Sequence, residues 1–144
     1  MADFLSPEDR SVRMSRIRGV DTVPELIVRR HLHSVGFRYR LHDRSLPGRP
    51  DLVLPRHKVV IFVNGCFWHA HRCQKGRIPA SRSKFWEAKF AANQARDARN
   101  ARRLRRVGWR VLTVWECTLG NTSKRSRTLD NLVIRILAKT PSGS

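Results

Sequence analysis

The chain has 144 residues, which suits one compact domain with a core and is too short for two of ordinary size. Thirty Lys and Arg against 11 Asp and Glu give a formal net charge of +19, which points to nucleic acid and, less strongly, to an anionic membrane surface. No apolar run approaches the roughly 18 residues of a spanning helix, which excludes one, and three cysteines cannot all pair within one chain where a disulfide scaffold would use more.

The N-terminus, MADFLSPEDRS, has neither the basic nor the apolar region of a secretion signal, so a reducing cytoplasm is the expected setting. Ser6-Pro7-Glu8-Asp9 has the signals of a helix start, but Val12, Met14 and Ile17 stand among arginines and cannot bury much. Residues 1–19 are therefore expected to form a helical arm, either loosely docked or settling on a partner, and residues 20–140 the globular domain.

A second helix should begin at Thr22, which has capping-box spacing with Glu25, and stop at Gly36. Phe37 to Leu41 alternates and is expected as a strand. Leu46-Pro47-Gly48-Arg49-Pro50 is a rigid turn leading into Asp51–Leu54 and Lys58–Val63, two strands joined as a hairpin through Pro55-Arg56-His57. Residues 64–82 are irregular. A long helix is predicted from Ser83 to about Val107, with Gly108 as its stop, then a strand over Arg110–Trp115. Gly120, Asn121 and Ser123 mark a loop, and a last helix is expected near Thr128 to Lys139. This order predicts an α/β domain, a mixed sheet with helices packed on it.

Two places carry chemistry. Between Cys66 and Cys73 the chain sets two cysteines and two histidines, and Cys117 ends a later strand. Thiolate and imidazole are the donors zinc prefers, and structural sites close at four. Cys66, Cys73 and Cys117 with one histidine would tie the loop to the sheet, and spacing alone leaves His69 and His71 both open as that ligand. The second place is Asp51, an acid at the start of a strand after a turn fixed by two prolines, where a nuclease can hold Mg2+. Arg96, Arg99, Arg103 and Arg106 recur at helical spacing as a stripe that suits either phosphate or water. Trp109 and Trp115 flank an apolar strand and are expected in the core.

Three longer blocks, Leu46 to Asp51, Val60 to His69 and Gly108 to Cys117, closely resemble the very-short-patch repair (Vsr) mismatch endonucleases over roughly residues 6 to 138. The resemblance implies a restriction-endonuclease-like fold with a structural zinc site. It implies that Asp51 binds catalytic Mg2+ with help from the backbone carbonyl of Val63, that His69 moves the proton of the attacking water, and that Glu25 supports that water. It assigns Zn2+ to Cys66, His71, Cys73 and Cys117. Phe67, Trp68 and Trp86 would wedge into DNA beside a T:G mismatch, with Met14 and Ile17 reaching the minor groove.

The implied activity is nicking of one strand at a T:G mismatch, which starts repair of deaminated 5-methylcytosine. The implied partner is mismatched duplex DNA, with general mismatch-repair proteins as further candidates and a monomer as the expected state. Rival readings are a restriction-like endonuclease on intact duplex and a non-catalytic DNA-binding module. The strand Ile61-Phe62-Val63-Asn64 carries no acid-x-Lys pair, and the Vsr family shares that lack. Asn64 stands where the family commonly has His, a departure that bears on rate and pH profile.

Overall fold

The computed structural model describes residues 22–66 and 82–138. The elements run α1 (Val23–Ser34), β1 (Arg40–Leu41), β2 (Leu52–Leu54), a 3-10 turn (Pro55–His57), β3 (Val59–Asn64), α2 (Ser83–Arg106), β4 (Arg110–Trp115), a second 3-10 turn (Glu116–Leu119) and α3 (Thr122–Leu137). Expectations for residues 1–19 and for Phe67, Trp68, His69, His71 and Cys73 lie outside the described residues.

The four strands form one mixed sheet in the order β1-β2-β3-β4. β1 to β3 are antiparallel, whereas β3 and β4 run parallel in the register Val59↔Arg110 to Asn64↔Trp115. A parallel pair needs a long crossover, and α2 lies within it.

One face of the sheet buries Leu52, Leu54, Val59, Ile61, Leu112 and Val114 against Val28 and Leu32 of α1 and Leu129, Leu132 and Ile136 of α3. The other face is thinner: Val53, Val60 and Leu104, flanked by Leu46, Phe62, Trp109 and Val111. Each buried Val or Leu contributes about 1.5–3 kcal/mol, so most of the stability lies on the α1/α3 side. Trp109 does pack against the core, as its strand-edge position predicts.

Helix ends follow local chemistry. Glu25 N–H donates to Thr22 Oγ1 at 3.3 Å, so the predicted N-cap forms. Gly108, with φ +95°, ends α2 where expected. Arg110 donates from its guanidinium to the carbonyls of Arg135 and Ile136, satisfying orphan acceptors in the last turn of α3.

Two boundaries differ from expectation. α3 begins at Thr122, six residues early, because Asn121 caps it by accepting from Lys124 N–H at 2.9 Å. Its first turns, Thr-Ser-Lys-Arg-Ser-Arg, are largely solvent-facing and so carry no apolar period. β1 is only Arg40–Leu41, because Phe37 N–H is spent on the Leu32 carbonyl at the end of α1, at 3.0 Å.

Candidate functional site

The turn before Asp51 is fixed by its glycine. Gly48 has φ +78°, and a Cβ there would lie 3.1 Å from Asn100 of α2 and 3.2 Å from Phe62. Only glycine fits both the backbone and the space. The turn therefore passes tightly between α2 and β3 and delivers Asp51 at the head of β2.

Continued by two residues, the β2–β3 register would set Pro50 opposite Val63. Proline has no N–H to give the ladder, so regular pairing stops short of it at Leu52, and Val63 N–H turns to the Asp51 side chain. Val63 N–H donates to Asp51 Oδ2 at 2.7 Å. In an extended strand a residue's N–H and C=O lie on the same edge, so the Val63 carbonyl is directed to the same side.

Glu25 reaches this corner from α1. It is 1% exposed, the buried charged residue among those described. Its carboxylate is met by Arg29 at 3.1 Å and by His42 Nε2, at 3.0 Å to Oε1 and 2.8 Å to Oε2. Ligand atoms of Glu25, His42 and Asp51 all lie within 4.8 Å of one another. The structure thus brings the two predicted acids together and adds a histidine that the sequence reading passed over.

Burial, then the Glu25 charge, push the Asp51 pKa up from 3.8 to about 7, against the pull of the Val63 N–H and of His42. Two carboxylates at this range, Glu25 buried and Asp51 half-buried, repel, and a divalent cation between them would relieve the repulsion. The donor set therefore fits a hard cation such as Mg2+.

The raised value has a sign. Folded Asp51 holds its proton up to about pH 7, unfolded Asp51 only to about 3.8, so the folded state binds more protons in between. The stabilisation is complete below about pH 4 and is lost as pH rises through 7. Without added divalent cation, the melting temperature of the wild type should fall relative to Asp51→Asn between pH 5 and pH 8. An unchanged difference across that range would contradict the assignment.

A second cluster sits where β3 and β4 end. The parallel register, extended by two residues, pairs Cys66 with Cys117. Cys117 N–H donates to Cys66 Sγ at 3.3 Å, and Cys66 N–H donates to Glu116 Oε1 at 3.3 Å. Cys66 is buried, Cys117 half-buried, and neither is in a disulfide. Two cysteines carried side by side at adjacent strand ends would suit half of a tetrahedral zinc site.

Trp86, on the first turn of α2, is half-buried. Its ring stacks on Phe90 with centroids 5.6 Å apart and meets Phe85 edge-on at 5.1 Å. Farther along α2, Arg96, Arg99, Arg103 and Arg106 are all exposed. Among the described residues no helix is long and apolar enough to cross a membrane.

Comparison with known proteins adds a common origin. The profile of the family described as DNA mismatch endonuclease Vsr matches residues 2–75. The chain is 47% identical over 133 residues to the type II nicking enzyme V.XorIIP of Xanthomonas oryzae pv. oryzae, covering 92% of this chain and 98% of that protein. It is 42% identical over 136 residues to the type II nicking enzyme V.NmeAIP of Neisseria meningitidis, covering 94% and 97%. It is also 44% identical over 124 residues to the DNA mismatch endonuclease Vsr of Escherichia coli, covering 86% and 80%.

Proposed function

The chain belongs to the DNA mismatch endonuclease Vsr family and is a DNA-cleaving hydrolase; on that premise we propose that it nicks one strand of duplex DNA at a T:G mismatch, beginning repair of deaminated 5-methylcytosine. The observation that carries this reading is the pair of buried Glu25 and half-buried Asp51, set within ligand distance where the hairpin turn ends. Like charges held this close, one of them buried, are costly without a counter-charge, and such perturbed carboxylates cluster at functional sites.

In this reading Asp51 and the Val63 carbonyl hold Mg2+, and Glu25 orients the attacking water. Bound there, Mg2+ supplies a lowered pKa for that water and charge to offset the developing phosphate. His69 carries the water's proton, an imidazole being suited to proton transfer near neutral pH. Cys66, His71, Cys73 and Cys117 hold a structural Zn2+ that pins the loop bearing His69. The contact between Cys66 and Cys117 supports that pinning. Residues 1–19 would serve as a DNA-contacting arm, with Met14 and Ile17 in the minor groove, and residues 20–140 as the endonuclease domain. The protein works in the cytoplasm as a monomer on mismatched duplex, alongside general mismatch-repair proteins.

Phe67, Trp68 and Trp86 form the wedge. Opening a base step costs a few kcal/mol and least where pairing is already imperfect, so a wedge contributes to selectivity. Trp68→Ala should lower affinity for a T:G duplex about tenfold or more and for the matched duplex by much less. The slope of affinity with salt should stay unchanged, because no phosphate contact is removed. Binding titrations at two salt concentrations check this. Equal losses on both duplexes would assign Trp68 to packing or general binding.

The function itself is tested by incubating the protein with Mg2+ and supercoiled plasmid, with and without one T:G mismatch. Conversion of only the mismatched plasmid to open circle is the expected result. Linear product from intact plasmid would favour a site-specific endonuclease, and binding without any cut would favour a non-catalytic module.

A further inference from the structure

We infer that His42 is a positioning residue of the catalytic site, holding the Glu25 carboxylate in a fixed plane against Asp51. The inference deepens the nicking reading and rests on it.

The side chain makes the first connection. Nε2 lies 3.0 Å from Glu25 Oε1 and 2.8 Å from Oε2, so a single N–H is shared between both oxygens and resists rotation of the carboxylate. Arg29 adds a contact at 3.1 Å to Oε2, but it comes from the same helix one turn on. His42 comes from a different element, the connection between β1 and β2. The carboxylate is thus gripped from two elements, its own helix and the segment after β1, which fixes its plane beside Asp51.

The backbone makes the second connection. The β1–β2 register, Arg40↔Val53 and Leu41↔Leu52, continues to His42 opposite Asp51. His42 N–H donates to the Asp51 carbonyl at 3.1 Å. One residue thus grips the helix acid with its ring and the hairpin acid with its main chain.

The third observation is conformational. His42 has φ +50°, in the left-handed region where a side chain is disfavoured and glycine is at ease. A histidine kept there costs stability relative to glycine, and strain of this kind collects at functional sites. Packing does not account for it, because the side chain is 25% exposed and outside both core clusters. The ring is held for what it touches.

The backbone also supplies a clean experiment. His42→Gly accepts φ +50° freely and retains the N–H that meets Asp51, so it removes the ring while favouring the native turn. His42→Gln returns a side-chain N–H donor. Three quantities are measured on wild type and both variants: single-turnover nicking of a T:G duplex, affinity for that duplex, and Mn2+ affinity by electron paramagnetic resonance. Partners of this kind usually matter 10- to 100-fold, so His42→Gly should slow nicking by about that factor. Its duplex affinity should stay within about twofold, and its Mn2+ affinity should fall several-fold. His42→Gln should recover most of both losses.

Wild-type nicking and Mn2+ binding in His42→Gly would overturn the inference, as would a glutamine variant no better than glycine. A rate that falls only in step with the fraction unfolded, followed by thermal melting, would assign His42 to the fold and overturn it too. If the wild type nicks no mismatched duplex, the functional reading has failed, and Mn2+ affinity alone then decides His42. A several-fold loss in His42→Gly restored in His42→Gln sustains its positioning role, and equal affinities overturn it.

Discussion

Asp51→Asn should abolish nicking, lowering the rate about a thousandfold or more, while mismatch binding stays within several-fold. A carboxylate that holds a catalytic cation supports several kcal/mol of transition-state stabilisation, and each 1.4 kcal/mol is a factor of ten. Affinity has a different source. The 30 basic residues of a chain with net charge +19 supply the phosphate attraction, and none of them is altered. The fold should survive, because an amide can still accept from Val63 N–H, the bond now made by Asp51 at 2.7 Å. Removing a carboxylate whose pKa burial has pushed up to about 7 also removes its repulsion with Glu25. The variant should therefore melt no lower than the wild type at pH 8. Quenched-flow nicking and duplex titration measure the two halves, and nicking near the wild-type rate would take Asp51 out of the site.

The second large effect separates zinc from chemistry. Purified wild type and His69→Ala should each carry one equivalent of zinc, with only the variant losing activity. Cys117→Ser and His71→Ala should lose the metal and melt much lower, since zinc binding is coupled to folding and is worth on the order of 10 kcal/mol in small structural sites. The motivation is local: Cys66 and Cys117 meet at the paired ends of β3 and β4, where Cys117 N–H donates to Cys66 Sγ. Elemental analysis and thermal melting of the purified proteins decide it. A zinc-free His69→Ala beside a zinc-replete His71→Ala would exchange the two assignments.

Much of this was legible in the sequence where the local signal and the tertiary role agree. β4 falls on Arg110–Trp115 as its apolar alternation predicts, and α2 starts at Ser83. Glu25 and Asp51 could be singled out as acids, one in a capping position and one after a fixed turn. That they meet across α1 and the hairpin is visible only in three dimensions. His42 was missed for the same reason: nothing in Arg40-Leu41-His42-Asp43 is a motif, and its partner Glu25 is 17 residues away. Pairing the predicted strand ending at Leu41 with the one beginning at Asp51 would have brought His42 near Asp51, but only the observed register, Leu41↔Leu52, sets the two opposite each other. The early start of α3 was hidden because its first turns bury little, and periodicity reports burial rather than helicity.

The measurement that bears most directly on the account is strand-resolved cleavage of a duplex carrying one central T:G pair between randomised flanks. Each strand bears a different label, and Mg2+ is present. The account predicts a single cut in one strand next to the mismatch, in a subset of flanking sequences, with the T:A control left whole. Cleavage of both strands, or equal cutting of the matched control, would contradict it.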